Sequence, residues 1–221
     1  MKKLSNLLKN SKFKMIIALS FLLFIYTSIC AFSYAEYIST DISNSVFRLH
    51  VLANSDSKED QDLKYKVRDS LLNYMNSICS NCSNKEEAIN LVEQNQKIFK
   101  QIALDTIHNE GYNYDVNINI GNFEFPTKTY GDISLPTGFY DALRVEIGNA
   151  KGQNWWCVMF PPLCFVDVSS GIVPDESKEI LDENLTDEEF SIVSDTSNKN
   201  IQFKFKLLEF FNNAGLITAK K

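Results

Sequence analysis

Residues 46–78, VFRLHVLANSDSKEDQDLKYKVRDSLLNYMNSI, hold two different periods on either side of a break. From Val46 to Leu52 the side chains alternate. Phe47, Leu49 and Val51 fall on one side and Arg48, His50 and Leu52 on the other, which is the period of a strand. The apolar side is expected to face the core, with His50 on the less buried side. ANSDS then interrupts the pattern. Ser57 followed by Asp60 has the form of a capping box with Asp in place of Glu, and acids at 59, 60 and 62 suit the positive end of a helix. Leu63, Val67, Leu71, Tyr74 and Ile78 continue at helical spacing, predicting a helix over 58–78. The same stretch gathers an arginine, a histidine, serines and acids, so it is also the first place to look for chemistry.

Working outward, Asn84 with Glu86 and Glu87 behind it starts a second helix. Its stripe is Ala88, Leu91, Val92, Ile98, Phe99 and Ile102, and Gly111 is its natural stop. YDVNINI (114–120) alternates strictly, with Tyr114, Val116, Ile118 and Ile120 toward the core. Gly121–Asn122 is a turn signal leading to Phe123 and Phe125. LRVEI (143–147) and a strand beginning at Trp155–Trp156 flank the Gly-rich GNAKGQN and are predicted to pair as a hairpin. Thr186 and Glu189 form a capping box for a short helix in an acidic stretch, and IQFKFKLLEFF (201–211) alternates like a last strand. The order β-α-α-β-β-β-β-α-β predicts an α+β fold, a mainly antiparallel sheet with two long helices packed on one face.

The amino-terminal end has another character. Five lysines precede Glu36 and no acid does; an apolar run, MIIALSFLLFIY (15–26), follows, and Ser33 and Ala35 supply small side chains for a signal-peptidase cut after Ala35. Residues 1–35 thus read as a signal peptide. The alternative is an uncleaved anchor, since 15–35 is long enough to span a bilayer. Either way residues 36–221 are expected outside the cytoplasm, as one domain without a Pro/Gly/Ser linker or internal repeat, with membrane contact only through the leading segment. That part carries 17 basic against 28 acidic residues, a net charge of −11. Such a surface repels phosphate backbones, so nucleic acid is not an expected partner.

The exported part has four cysteines, Cys79, Cys82, Cys157 and Cys164, an even number that favours disulfides outside the cytoplasm. Three pairings are open. Pro161–Pro162 suits a turn that would bring Cys157 and Cys164 together. Cys79-Ser-Asn-Cys82 has redox CxxC spacing, but it falls between two helices, whereas a low thiol pKa needs a helix amino terminus after a strand. The wide spacing of the second pair argues against a zinc knuckle.

A hydrolytic triad can be drawn from His50 as base, Asp56 as its orienter and Ser55 as nucleophile. Against it, all three sit in one short segment, and no G-x-S-x-G elbow is present. The plainer alternative is that Asn54, Ser55 and Asp56 form an Asx-type turn capping the helix. There is no H-E-x-x-H, P-loop or dinucleotide fingerprint, so neither a catalytic metal nor a cofactor is expected. In GQNWWCVMFPPLCFVD (152–167), adjacent tryptophans on a strand point to opposite faces, predicting one in the core and one exposed. An exposed tryptophan beside Pro161–Pro162 would serve as an interface anchor.

Two of these stretches, FRLHVLANSDSKEDQDLKYKVRDSL (47–71) and NWWCVMFPPLCFVD (154–167), closely resemble the signature segments of the stage II sporulation protein R family of endospore-forming Firmicutes, and TGFYDALRVEIGNAKGQNWW (137–156) resembles the run between them. The resemblance covers most of 45–170 and only loosely the acidic 170–221. It implies a protein made in the forespore and exported to the space between the two membranes. There it would trigger a membrane-embedded aspartic protease of the mother-cell membrane, which cleaves the pro-sequence from sigma-E. No catalytic residue is then expected. From surface chemistry, Arg48, His50, Asn54, Asp56, Lys64 and Arg68, with Trp155, Trp156, Pro161 and Pro162, are the candidate receptor contacts.

Overall fold

The computed structural model describes residues 11–165 and 173–194; the expected strand at 201–211 lies outside them. Two units divide the chain between Ile38 and Ser39. The first consists of most of α1 (Ser11–Ser45), a helix long and apolar enough to cross a membrane, on which Phe21, Leu22, Leu23 and Phe24 are exposed. Its form fits a signal or anchor segment.

The second unit is built on a four-stranded sheet. β1 (Phe47–Leu52) leads into α2 (Lys58–Ile78), α3 (Lys85–Gln94) and α4 (Gln96–Asn109). β2 (Val116–Phe125), the short hairpin β3 (Lys128–Tyr130) and β4 (Ile133–Leu135), then β5 (Gly138–Ile147) and β6 (Asn154–Phe160) follow. A 3-10 turn (Leu163–Phe165) and the helices α5 (Asp175–Glu183) and α6 (Asp187–Ser194) complete the described chain. The sheet order is β2-β5-β1-β6, antiparallel except between β1 and β5. The class is therefore α+β with a mainly antiparallel sheet.

Local signals hold at the helix ends. Ser57 Oγ accepts from Asp60 N at 3.2 Å, and α2 begins where predicted. Asn84 Oδ1 accepts from Glu87 N at 2.9 Å to open α3. Thr186 and Glu189 bond reciprocally, Thr186 N to Glu189 Oε2 at 2.8 Å and Glu189 N to Thr186 Oγ1 at 3.3 Å. Gly111, at φ +84°, ends α4 with paired bonds from Gly111 N to His108 O and Tyr112 N to Ile107 O.

Four expectations are corrected. The second helix is two, because the chain breaks at Asn95, whose side chain turns back to Leu91 O. Gly121–Asn122 is not a turn; β2 runs straight through it and pairs with β5 from Val116 to Phe125. The hairpin of β5 with β6 does not form, because β1 lies between them. That insertion makes β1 a central strand, buried on both sides, so His50 does not sit on a solvated face: it is 8% exposed, and Arg48 is 0% exposed.

One face of the sheet carries Leu49, Val51, Leu143 and Val145 against Leu71, Val67 and Phe99 of the helices, an apolar core with no charged member. The opposite face carries Arg48, His50, Tyr140, Arg144, Phe125 and Trp156. The β3–β4 hairpin lies over one end of it, tied by Tyr130.

Candidate functional site

Register places the polar side chains of the second face in rows. Asn119 is opposite Arg144, Arg144 beside His50, and His50 opposite Trp156. Gly121, Ala142, Arg48 and Val158 form the next row. Small side chains at 121 and 142 leave the long Arg48 to lie among rings. Its guanidinium carbon is 4.1 Å from the Phe125 centroid and 4.6 Å from that of Tyr140. Such contacts compensate a desolvated cation by about 2 kcal/mol. Nη2 donates to Tyr130 Oη at 2.6 Å, and Tyr130 Oη donates to Trp156 O at 3.1 Å. Burial pushes the Tyr130 phenol up, against the pull of Arg48, so it keeps the proton that this chain of bonds needs. No carboxylate meets Arg48 among the described residues.

His50 stacks on Trp156, centroids 5.5 Å apart at 17°, and meets the edge of Phe125 at 5.8 Å. Nε2 and Asn154 Oδ1 are 2.8 Å apart, so Nε2 carries the proton. Burial lowers the imidazole pKa below 6.5; the Asn154 bond opposes this and Arg144 adds to it. A neutral ring with a free Nδ1 is a chemically competent base, but no nucleophile is seen facing it among the described residues. Ser55 Oγ donates to Asp60 Oδ2 at 2.5 Å, and Asp56 Oδ1 accepts from Gln153 N at 2.7 Å. The His50, Ser55 and Asp56 triad is not assembled.

The turn residues have a structural task. Asn54 Oδ1 accepts from Asn149 N at 2.9 Å and from Asn149 Nδ2 at 3.0 Å, while its Nδ2 donates to Asp60 Oδ2 at 2.8 Å. Burial alone would raise the Asp60 pKa, but bonds from Ser55, Asn54, Tyr114 and Ser57 outweigh it and hold the carboxyl below its ordinary value. This Asx-type turn clamps the β5–β6 loop against the start of α2. Gly152 permits the approach, since a Cβ there would lie 2.2 Å from Ser55 O.

The remaining candidates separate by depth. Lys64 is 1% exposed and donates to Gln61 Oε1 at 2.5 Å and Gln153 O at 3.0 Å; burial lowers its pKa. Pro161 is buried, Pro162 partly so and Asp56 exposed. Arg68 lies 4.4 Å over the Trp155 ring, which also meets Tyr65 edge-on at 5.3 Å. Trp155 and Trp156 do point to opposite faces, but the expected contrast of one core and one exposed is absent: both are partly buried, each beside a cation. Disulfides join Cys79 to Cys82 and Cys157 to Cys164, as suits an extracytoplasmic protein.

Phe125, Lys128, Tyr130, Tyr140, Arg144 and Asn154 belong to the same face and were missed. Alternating polar residues in β5 look solvated until a second layer is known, although the small-large pattern Tyr140-Asp-Ala142-Leu-Arg144 was a usable signal.

The family model for stage II sporulation protein R matches residues 43–170, which include every strand of the sheet. The chain belongs to this family. A curated relative, stage II sporulation protein R of Bacillus subtilis (strain 168), is 38% identical over 138 residues. That alignment spans 62% of each chain, less than two thirds of the relative's length. No solved structure matches. Within the stage II sporulation protein R match lie the Asn54 clamp, the His50 row and both disulfides; α5, α6 and the apolar part of α1 fall outside it.

Proposed function

We propose that the exported part of this protein is an intercompartmental signal of endospore formation. It is made in the forespore and delivered to the intermembrane space. There it binds the extracytoplasmic side of a membrane-embedded aspartic protease in the mother-cell membrane, which then processes pro-sigma-E. The observation that carries this is the family match across the whole sheet. The chemistry is in keeping with a ligand: among the described residues His50 has no nucleophile to activate, and Ser55 and Asp56 spend their hydrogen bonds on a turn. A rigid two-layer body clamped by disulfides loses little further entropy on docking. Asn54, Asp56, Arg68, Trp155, Trp156 and Pro162 are the receptor contacts favoured by exposure, with Arg48, His50, Lys64 and Pro161 supporting them from beneath.

Reconstitution in a non-sporulating bacterium tests the proposal. The chain is co-expressed with the candidate protease and its pro-sigma substrate, and the shortened sigma factor is followed by immunoblot. Processing that requires this chain and survives His50→Ala supports a non-catalytic ligand. Absence of processing with export and folding confirmed overturns it. Processing abolished by His50→Ala in a folded protein points instead to hydrolysis.

A further inference from the structure

On the second face of the sheet, four unpaired buried N–H groups face one unpaired acceptor among the described residues, His50 Nδ1. Arg48 Nε and Nη1, Arg144 Nε and Trp156 Nε1 have no hydrogen-bond partner among the described residues. They lie on adjacent rows of three neighbouring strands. A buried donor without an acceptor costs on the order of 1–3 kcal/mol, so four on one face form an unfilled demand for an acceptor. The charge has the same sense. Lys128 Nζ sits 4.7 Å over the Trp156 ring without a carboxylate partner among the described residues, and Arg48 lacks one too. Glu146, in the neighbouring row, is already held by Arg144 Nη2 at 2.9 Å and Asn117 Nδ2 at 3.0 Å. On an exported part with net charge −11, this is a local excess of cations and donors.

We infer that this face receives an acidic segment of the protein partner, with Lys128 over the Trp156 indole meeting one of its carboxylates and Arg144, two strands away, meeting another. The inference rests on the proposed function for the identity of the partner, but not for the chemistry of the site. Arg144 is one entry point, its side chain 32% exposed, and Trp156 with Lys128, across the His50 strand, is the other, both partly exposed. Arg48 is a positioning residue. Through Tyr130 it ties the hairpin bearing Lys128 to the backbone of Trp156, and its charge lies beneath the site. A carboxylate accepts several N–H bonds at once, and charge-assisted bonds of this kind are the stronger class.

The test uses protein secreted from a heterologous bacterial host and fluorescein-labelled hexaglutamate, with hexaglutamine as the neutral control and binding read by anisotropy. Hexaglutamate should bind despite the net negative charge of the protein, and hexaglutamine should not. Lys128→Gln and Arg144→Gln should each weaken binding about tenfold, with circular dichroism unchanged. Lys66→Gln, at an exposed lysine paired with Glu110, should leave it as it was. No binding, or binding indifferent to Lys128→Gln and Arg144→Gln, overturns the inference. Displacement by inorganic phosphate at equal charge overturns the peptide assignment in favour of a general anion site. Hexaglutamate binding in a protein that fails to support sigma-factor processing would sink the signalling proposal alone; processing without such binding would sink only the carboxylate site.

Discussion

The two faces of the sheet share strands β1 and β5 yet solve opposite problems. Toward the helices, Leu49, Val51, Leu143 and Val145 meet Leu71, Val67 and Phe99, and among the described residues the Trp155 indole N–H is the one buried side-chain polar group left unpaired there. On the other side, one residue further along the same strands, Arg48, His50, Tyr140 and Arg144 are held among rings with donors left over. The first face gains stability in proportion to apolar area removed from water. The second gives some of that up to fix charged and aromatic groups in place. If the proposed carboxylate site is right, the second face serves recognition as well as folding, and substitutions on each face should separate the two.

The largest effect is expected on the helix side. Phe99→Ala, at a fully buried ring in contact with Tyr74, should cost about 3–5 kcal/mol in urea unfolding. A loss under about 1 kcal/mol there would mean this face is not the stabilising one. Replacing Cys157 and Cys164 together by alanine opens a small loop at the end of β6 and should cost about 2–3 kcal/mol. The same titration without reductant checks it. Ser57→Ala removes the cap of α2 and should cost about 1 kcal/mol.

Arg48→Met should then be the informative exception. An apolar side chain of similar volume replaces a buried cation that meets no carboxylate among the described residues, so stability should fall by no more than about 1 kcal/mol or rise, while processing in the reconstituted system is lost. Unfolding of this variant would break the division of labour. The smallest effect is in pH. The His50 pKa is lowered in the fold, so below 6.5 the unfolded chain takes up a proton that the native state resists. Stability contributed by the neutral ring is present above 6.5 and is lost as pH falls through the lower native value. His50→Gln should flatten the stability profile in that window. Asp60 and Asp132 act further down: their native pKa values lie below 3.8, so their contribution disappears only in stronger acid.

Much of the molecule was legible because it is local. The strand at 46–52, the helix at 58–78, the caps at Ser57, Asn84 and Thr186 and the stop at Gly111 all depend on side chains within four residues of one another. The turn through Asn54, Ser55 and Asp56 was legible for the same reason, since those short side chains bond nearby backbone and the next helix turn. The pairing of β5 with β6 was misjudged because a Gly-rich connection between two alternating runs has the same local form whether or not a third strand slips between them. The missed members of the second face share that cause. Arg144 and Tyr140 alternate with apolar residues as solvated side chains do, and only the neighbouring β1 and the overlying hairpin bury them.

The sequence by itself determined where the first strand and the helix after it begin and end, that residues beyond the apolar leader carry a strong negative charge, and which segments bear the family signature. Tertiary structure alone decided that β1 is central, that Arg48 and His50 are interior, and that Trp156, Lys128 and Arg144 share one face. The physical reason is range. Capping and periodicity act over one turn of chain, whereas strand order is settled by pairing between residues about a hundred positions apart, such as His50 with Arg144 and Trp156.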